Sequence, residues 1–247
     1  MTVIEAASLR KAYGDVQAVD GLGLTVDRGE VYGFLGPNGA GKTTTIEILT
    51  GQLRPDAGSV DVLGTDPTTD PVETRRRAGI LPEQQSPPSF LTPREFFEFV
   101  GRVRDIDDET LAERVETWSQ RLGFAAKLDT LCADLSRGQQ QKVMLTQVFV
   151  HEPDVVVIDE PLANLDPIVQ EQVKRHVESY ARDGNAVFLS THNIDVAEDV
   201  CSRVGIVANG RIVAEHDVET TGPGLLDVFL DEVDGADPRD TPTAGGD

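Results

Sequence analysis

The chain has few cysteines, no long apolar run and few basic residues. Cys132 and Cys201 are the only cysteines among its 247 residues, and neither has metal-ligand spacing. Two reduced thiols are expected, with a disulfide as the alternative. No stretch reaches the roughly 18 apolar residues that cross a bilayer, and the N-terminus lacks the apolar core of a secretion signal. We therefore expect a protein that stays in the cytoplasm unless a partner holds it at a membrane.

The charge balance is strongly acidic. There are 43 aspartates and glutamates against 22 lysines and arginines, which gives a formal net charge of −21. This balance argues against a nucleic-acid binder, because phosphate contacts need a basic face. The excess could form an acidic partner-binding surface or a solvating coat suited to concentrated salt. The carboxylates are spread along the whole chain, which favours the coat and an origin in a halophile.

The order of apolar patterns predicts an α/β fold. "TVIEAASL", the alternating Leu22, Leu24 and Val26, and "GSVDVLG" predict short strands near the N-terminus. "EVYGFLG" followed by "PNGAGKTTTIEIL" reads as strand, glycine-rich turn and helix. "DVVVIDE" and "NAVFLSTH" are typical of buried parallel strands. "GIVANGRIVAE" predicts a hairpin around Asn209-Gly210.

A helical segment interrupts this α/β pattern at about residues 85–150. Thr92 to Glu95 forms a capping box with proline at the first helical position. A second helix places its apolar residues on one face, so Trp118 is expected in the core; these residues are Leu111, Val115, Trp118 and Leu122. The last helix of the segment begins in "LSRGQQQK", where Ser136 is placed to cap it.

The segment from Gly36 to Thr43, "GPNGAGKT", fits the pattern G-x-x-x-x-G-K-[ST]. Its glycines let backbone N–H groups surround phosphate oxygens at the positive end of the following helix. Lys42 can reach the β- and γ-phosphates of a nucleotide, and the Thr43 hydroxyl can hold Mg²⁺. The pattern lies between a predicted strand and a predicted helix, as a phosphate loop requires.

Two carboxylates end the strand "VVVIDE". Asp159 emerges where ligands of open α/β sheets bind, and it is the expected partner of Mg²⁺. Glu160 next to it adds like-charge repulsion. A general base for an attacking water would explain that arrangement, and a solvated glutamate at a strand end is the alternative.

Together these motifs resemble the nucleotide-binding subunits of ABC transporters. "LSRGQQQK" is similar to the signature motif of that family, and it lies between the glycine-rich loop and the "VVVIDE" strand as in the family. The resemblance covers roughly residues 2–215. It implies a P-loop NTPase core with an N-terminal antiparallel β-subdomain and an inserted α-helical subdomain. The expected domain spans 2–220, a short C-terminal helix spans 221–233, and a disordered acidic tail spans 234–247.

The resemblance gives the signature a role in a neighbouring subunit. In the family, two subunits pack head to tail, and each signature helix contacts the γ-phosphate held by the other subunit's loop. Ser136, Gly138 and Gln139 are therefore expected to bind ATP across a dimer. The chain's own ATP would be held by the whole loop, which comprises Gly36, Pro37, Asn38, Gly39, Ala40, Gly41, Lys42, Thr43 and Thr44.

Three further residues match family positions. Tyr13 lies where an aromatic ring stacks on adenine, with a packed core tyrosine as the alternative. Asp166 ends "ANLD", which matches a loop that communicates across the dimer. His192 in "STHN" matches a histidine at the γ-phosphate, so Glu160 and His192 are the expected catalytic pair. The remaining histidines are interpreted as surface or incidental residues; they are His151, His176 and His216.

The chain departs from the family pattern at three places. Arg137 replaces a common glycine in the signature, and Asn164 replaces one in "ANLD". The family glutamine that touches Mg²⁺ and the membrane partner falls at Glu83, with Gln84 beside it. A carboxylate can still bind Mg²⁺, so Glu83 is assigned to the metal with Thr43 and Asp159. Which of Glu83 and Gln84 carries the coupling to the partner stays open.

The implied function is that of an ATP-hydrolysing subunit of an ABC transporter, with ATP and Mg²⁺ as cofactors. A separate integral-membrane permease would dock near residues 85–105 and hold the chain on the inner face of the membrane. Residues 225–233 resemble a helix of exporter-type subunits. The second nucleotide-binding subunit could be an identical copy or a different chain, and no nucleic acid is expected. The alternative is a soluble ABC-type ATPase that acts as a conformational switch, for example in iron–sulfur assembly.

Overall fold

The computed structural model describes residues 1–83, 85–162, 165–218 and 224–235. The strands in these ranges are β1 (Thr2–Tyr13), β2 (Val16–Asp27), β3 (Val31–Leu35), β4 (Ala57–Val62), β5 (Ala78–Leu81), β6 (Val155–Asp159), β7 (Ala186–Thr191), β8 (Arg203–Ala208) and β9 (Arg211–Asp217). The α-helices are α1 (Lys42–Leu49), α2 (Pro71–Arg77), α3 (Pro93–Val103), α4 (Asp108–Arg121), α5 (Arg137–Phe149), α6 (Pro167–Arg182), α7 (Ile194–Val200) and α8 (Leu225–Gly235). Short 3₁₀ helices lie at Ala125–Lys127 and Cys132–Asp134.

A small antiparallel sheet has the strand order β2-β1-β4. Its central strand β1 pairs antiparallel with both neighbours. Alternate side chains along the strands enter the core, and Ile4, Leu22 and Val62 are each at most 1% exposed. The strands predicted near the N-terminus and in "GSVDVLG" are confirmed.

The larger sheet has the order β5-β6-β7-β3-β8-β9. Its first five strands run parallel, and β9 pairs antiparallel with β8. The predicted hairpin is confirmed: Asn209 and Gly210 both have positive φ, 51° and 74°, as a type I′ turn requires. Because β3, β6 and β7 are parallel neighbours, their C-terminal ends meet at one edge of the sheet.

The larger sheet separates two apolar cores. Along β6, Val156 and Ile158 enter a core shared with α3 to α6, while Val155 and Val157 enter a core shared with α1 and the small sheet. Successive side chains of a strand point to opposite faces, so a strand covered on both sides is apolar throughout. This explains the uninterrupted run of valines that predicted the strand.

The helices α3, α4 and α5 follow β5 and precede β6. Thr92 and Glu95 form the predicted capping box at the start of α3. The apolar face of α4 is buried as predicted, and Trp118 is 8% exposed and stacks on Phe149 of α5 at 5.1 Å. Aromatic packing therefore joins α4 to α5. The helical subdomain boundaries at about 85 and 150 stay predictions.

The C-terminal helix α8 begins at Leu225 and packs on α7, β8 and β9. It starts later than the predicted 221–233, and residues 221–223 lie outside the described ranges. The predicted tail falls outside them from residue 236 onward. Cys132 and Cys201 are free and buried. No described helix combines the length and the apolar character needed to cross a lipid bilayer.

Candidate functional site

The segment from Gly36 to Gly41 connects β3 to α1 at the C-terminal edge of the larger sheet. The Gly36 amide donates to the carbonyl oxygen of Thr191 at the end of β7 (3.3 Å), and the Ala40 carbonyl accepts from the Gly210 amide (3.0 Å). Gly36 and Ala40 are buried, while the middle of the loop is exposed at Pro37, Asn38 and Gly39. The loop is thus fixed at both ends and open between them.

Two of its positions accept only glycine. Gly41 has a φ of 101°, and a Cβ there would lie 2.3 Å from the carbonyl oxygen of Ala18. A Cβ on Gly36 would lie 2.3 Å from the carbonyl oxygen of Val207. Gly41 also forms the N-cap of α1 without a side-chain hydrogen bond. The first amides of α1 are therefore not capped by a side chain, which suits an incoming anion.

Lys42 and Thr43 begin α1 beside the loop. The Lys42 ammonium donates to the carbonyl oxygens of Gly36 (2.7 Å) and Pro37 (3.1 Å). Burial lowers the pKa of Lys42, and the charges of Glu160, Asp159 and Glu83 act in the opposite direction. Thr43 is exposed, and Thr44 is half-buried.

The metal residues expected from the sequence lie around this lysine. Asp159 ends β6 and is 3% exposed. Burial raises the pKa of Asp159, and the charges of Glu83 and Glu160 raise it further while Lys42 lowers it. Three carboxylates thus act on one another across the edge of the sheet. Gln84, the alternative to Glu83, lies outside the described residues.

This site fits Mg²⁺ through the chemistry of its donors. The described residues hold no group of three or more histidine, cysteine or acidic ligands that could bind an ion alone. Mg²⁺ differs from other ions in using one or two carboxylates together with substrate phosphates. Asp159 and Glu83, with the exposed Thr43 hydroxyl, supply such oxygens beside the phosphate loop.

Glu160 is fixed by the end of β7. Its carboxylate accepts from the Thr191 hydroxyl (3.1 Å) and the His192 amide (2.8 Å), and it lies 2.5 Å from Nδ1 of the His192 ring. The Glu160 backbone has a φ of 51°, which is uncommon for a residue with a Cβ and is often found at functional sites. The sequence therefore identified a pair that the structure brings into direct contact.

The signature helix α5 has the predicted cap. The Ser136 hydroxyl accepts from the Gln139 amide (3.3 Å), and the Gln139 side chain accepts from the Ser136 amide (2.9 Å). This capping box leaves the amides of Arg137 and Gly138 outside it. Ser136 and Arg137 are exposed and Gly138 is half-buried, so this helix start faces outward.

Asp166 is the N-cap of α6, where its carboxylate accepts from the Val169 amide (3.1 Å). That hydrogen bond lowers the pKa of Asp166, and the Lys142 ammonium, 3.7 Å away, contributes to the same effect. Two residues of "ANLD", Ala163 and Asn164, lie outside the described ranges.

Tyr13 ends β1, opposite Val16 at the turn into β2. Its side chain is 50% exposed and that of Val16 is 67% exposed. A packed core tyrosine, the alternative drawn from the sequence, is therefore wrong. Stacking on adenine stays a prediction.

The interpretation of two histidines as surface residues is wrong. The ring nitrogens of His151 are buried, and His176 makes edge contacts with Trp118 (4.3 Å) and Phe149 (4.8 Å). Burial lowers the pKa of each histidine to about 4. Apolar periodicity along α6 could have indicated His176, because Val173, Val177 and Tyr180 surround it in the sequence.

Sequence reasoning also missed three supporting residues. Thr191 holds Glu160, Gly210 holds the phosphate loop, and Lys142 lies next to Asp166. Thr191 belongs to "STHN" and Gly210 to the Asn209-Gly210 turn, two segments that the sequence analysis had already identified. The residues next to them could therefore have indicated that they support the site. No sequence pattern near Lys142 indicated its contact with Asp166.

Comparisons with known proteins agree with this geometry. The family model described as "ABC transporter" matches residues 19–163. The chain is 31% identical over 236 residues to the Nod factor export ATP-binding protein I of Ralstonia nicotianae, covering 94% of this chain and 74% of that protein. It is 36% identical over 219 residues to the daunorubicin/doxorubicin resistance ATP-binding protein DrrA of Streptomyces peucetius, covering 89% of this chain and 66% of that protein.

A solved structure described as the ATP binding subunit of an ABC transporter has the same fold. It superposes with a TM-score of 0.87 at 27% identity, and the match covers 93% of this chain and 98% of that one. The expected P-loop NTPase core with its antiparallel β-subdomain and helical insertion is confirmed. These relatives give no support to the soluble switch. The chain belongs to the ABC transporter family, as an ATP-binding and ATP-hydrolysing subunit.

Proposed function

We propose that the chain powers an exporter by hydrolysing ATP at the edge where β3, β6 and β7 end. One observation carries the proposal: Glu160 is held by Thr191 and His192 at the end of β6, beside the phosphate loop. Glu160 would accept a proton from the attacking water. His192 is 60% exposed in its side chain, so its ring can hold Glu160 and still face a γ-phosphate.

The phosphate loop would bind and orient the nucleotide. The uncapped start of α1 and the Lys42 ammonium would bind the β- and γ-phosphates, and Tyr13 would stack on adenine. Thr43, Asp159 and Glu83 would hold Mg²⁺, which supplies charge neutralisation on the phosphates when bound. Positioning and electrostatics would then supply most of the rate enhancement.

A second subunit would complete the site. The exposed start of α5 presents the Arg137 and Gly138 amides outside its capping box, and a helix N-terminus suits an anion delivered from another chain. Both the loop and the signature occur in this chain, which supports a homodimer. Asp166 would communicate between the two sites.

A separate permease would dock on the helical segment. A groove of about 440 Å³ lies along α3, and we call it the α3 groove. Its lining includes Phe96, Phe99, Val100 and Val103 of α3, Met144 and Gln147 of α5, and Ile80, Pro82, Gln85, Ser86 and Pro88. Docking there would place the chain on the inner face of the membrane.

Export is favoured by the relatives. The proteins from Ralstonia nicotianae and Streptomyces peucetius are named for Nod factor export and for drug resistance. The resemblance of the segment that forms α8 to a helix of exporter-type subunits also supports export. The acidic residues that give the net charge of −21 would form a well-solvated protein surface that is adapted to concentrated salt, as in a halophile.

The test is the solution mass of Glu160→Gln by light scattering, with and without Mg·ATP, beside the ATPase rate of the unchanged chain. We expect a dimer of the variant only with ATP, and loss of turnover with ATP binding intact. Turnover by Glu160→Gln would refute the role of Glu160. A variant that binds ATP but stays monomeric would refute the homodimer and leave the nucleotide site standing.

A further inference from the structure

The side chain proposed to stack on adenine lies on a hairpin that projects beyond its sheet. The ladder between β1 and β4 ends where Arg10 pairs with Ala57. From there β1 continues along β2 to Tyr13, which lies opposite Val16. We call residues 11–17 the hairpin tip. Because a two-stranded hairpin is only marginally stable by itself, the position of Tyr13 depends on the contacts that hold this tip.

Asp56, the residue before β4, holds the base of the hairpin tip. One oxygen of its carboxylate accepts from the Ala12 amide (2.8 Å), and the other accepts from the Lys11 ammonium (2.8 Å). Lys11 also donates to the Arg54 carbonyl oxygen (2.9 Å). The Asp56 amide donates to the Arg10 carbonyl oxygen (2.8 Å). The backbone and the side chain of Asp56 therefore both bind β1 just before its end.

The contact with Ala12 lies where the strand ladder itself is irregular. The pairing of β1 with β2 shifts register between Lys11 and Ala12, and a shift of this kind disrupts the local ladder. Asp56 supplies a charged acceptor at this point, and such hydrogen bonds are stronger than those between neutral groups. The hydrogen bond from Lys11, followed by that from Ala12, lowers the pKa of Asp56. The carboxylate is therefore ionised at neutral pH, as this role requires.

Asp56 is also connected to the helix that follows the phosphate loop. Beyond α1 the chain folds back, and the amides of Gln52 and Leu53 both donate to the Glu47 carbonyl oxygen (2.8 and 3.0 Å). Asp56 follows Leu53 by three residues. The base of the hairpin tip is thus linked through Asp56 to the end of α1, the helix whose start would bind the phosphates.

The other strand of the hairpin is linked to the phosphate loop through the turn between β8 and β9. The Gly210 amide donates to the Ala40 carbonyl oxygen (3.0 Å), and the Gly210 carbonyl oxygen accepts from the Asp20 amide of β2 (2.9 Å). Both strands of the hairpin are therefore fixed relative to the phosphate loop, β2 through Gly210 and β1 through Asp56.

We infer that Asp56 is a positioning residue for the nucleotide base: it holds the hairpin tip so that the Tyr13 ring and the phosphate loop meet opposite ends of one bound nucleotide. This assignment rests on the proposed function, because the stacking of adenine on Tyr13 is part of that proposal. The placement of a group that contacts a ligand depends on the residues that support it. Loss of Asp56 should therefore weaken the binding of ligands that carry a base and leave the binding of bare phosphates unchanged.

The test compares ADP, which carries adenine, with inorganic tripolyphosphate, which has no base. Their dissociation constants for the full chain in the presence of Mg²⁺ are measured by isothermal titration calorimetry. Stacking of a base on an aromatic ring contributes about 5- to 150-fold in affinity. We expect Tyr13→Ala to weaken ADP binding by about tenfold and Asp56→Ala by about fivefold. The binding of tripolyphosphate should be unchanged in both variants.

Two further variants test whether Asp56 acts through Tyr13. Tyr13→Ala combined with Asp56→Ala should bind ADP no more weakly than Tyr13→Ala alone, because both changes act through one ring. Asp56→Asn keeps an oxygen that accepts from the Ala12 amide, so it should recover part of the lost ADP affinity. It also keeps the comparison of the two ligands possible if Asp56→Ala does not fold.

Asp61→Ala is the matched control for a general loss of structure. Asp61 lies on β4 opposite Glu5, away from the hairpin tip, and its carboxylate also accepts from a backbone amide, that of Gly64 (2.8 Å). This variant should leave the affinities for ADP and tripolyphosphate unchanged. Melting temperatures of all variants show which of them fold.

The outcomes distinguish this inference from the proposed function. An equal loss of ADP and tripolyphosphate binding in Asp56→Ala would overturn the inference, because Asp56 would then support the phosphate loop. Losses that add in the double variant would also overturn it, since Asp56 would then act independently of Tyr13. Normal ADP affinity in Asp56→Ala beside a loss in Tyr13→Ala would overturn the inference and leave the proposed stacking in place. Normal ADP affinity in Tyr13→Ala would refute the stacking itself, and with it any role of Asp56 through that ring.

Discussion

The ammonium of Lys142 on α5 lies 3.7 Å from a carboxylate oxygen of Asp166, the N-cap of α6. Lys142 is the last residue of the signature "LSRGQQQK", and Asp166 ends the loop that begins after Glu160. Gln141 makes a second link, donating to the Pro161 carbonyl oxygen (3.5 Å). The helix proposed to serve a neighbour's ATP is therefore tied to the loop that follows Glu160, the glutamate proposed as the general base.

Lys142→Met should lower kcat by about tenfold through misplacement of that loop, with a smaller effect on KM for ATP. The stability loss should stay below about 1 kcal/mol, because Asp166 is 53% exposed and such pairs are screened. Steady-state ATPase assays measure the two constants. Lys174→Met is the matched control, since it breaks a lysine–aspartate pair with Asp199 between α6 and α7. A kcat equal in both variants would remove any special role of Lys142.

Local motifs predicted most of the fold and of the candidate site. The phosphate loop can be recognised in "GPNGAGKT" because no other residue can replace Gly36 or Gly41. A Cβ at either position would lie 2.3 Å from a carbonyl oxygen. Likewise, Asn209-Gly210 predicts its own turn through positive φ. Features of this kind depend on a few adjacent residues.

Contacts between distant segments were not predictable. Lys142 on α5 and Asp166 at the start of α6 meet only in the folded chain, and Arg104 at the end of α3 donates to the Arg75 and Arg76 carbonyl oxygens of α2. His176 looked like a surface residue because a polar side chain on a helix is usually solvated. The apolar periodicity of α6 could have indicated that His176 is buried, but it does not identify Trp118 and Phe149 of two other helices as the rings that it contacts.

His192→Ala should lower kcat by about a hundredfold, less than Glu160→Gln, since general-base groups contribute roughly 10²–10⁴-fold. The ring contact with Glu160 is lost, but the amide of residue 192 and the Thr191 hydroxyl still hold the carboxylate. Single-turnover measurements with saturating ATP give the rate of the chemical step. A larger loss in His192→Ala than in Glu160→Gln would make the histidine, and not the glutamate, the main catalytic group.

Trp118→Ala should lower the free energy of unfolding by about 3–5 kcal/mol, as for other large aromatic side chains removed from a core. The ring is 8% exposed and contacts Phe149 and His176, so its loss opens a cavity between three helices. Urea denaturation followed by circular dichroism measures the change. Phe90→Ala is the control, because its side chain is 77% exposed and should change stability by less than about 0.5 kcal/mol.

Acid should destabilise the protein through His176. Burial, with the nearby Arg121 guanidinium, lowers the pKa of His176 from 6.5 to about 4. Between these values the unfolded chain binds more protons than the folded one, so the free energy of unfolding falls as pH drops below 6.5. At pH 5 the loss should be about 1 kcal/mol after allowance for partial exposure.

Denaturation of His176→Phe at pH 7.5 and pH 5 tests this, since phenylalanine keeps an aromatic ring beside Trp118 but has no proton to gain. The variant should lose less stability between the two pH values than the unchanged chain. His151, whose pKa is also lowered to about 4, leaves a residual slope in both proteins. An identical slope in the variant would mean that His176 does not couple folding to pH.

The acidic surface makes a final prediction, about salt. A formal net charge of −21 opposes the compact state by self-repulsion, and ions at molar concentration reduce the screening length to about 3 Å. Raising KCl from about 0.1 M to 2 M should therefore raise the melting temperature by 5 °C or more, on the scale at which about 1 kcal/mol shifts a domain of this size by 2–4 °C. Sucrose of equal osmolality is the control, because it acts by exclusion from the surface and leaves charge repulsion in place. A melting temperature that falls as KCl rises would rule out a salt-adapted surface. The alternative explanation of the acidity, a surface that binds a partner, would then be favoured.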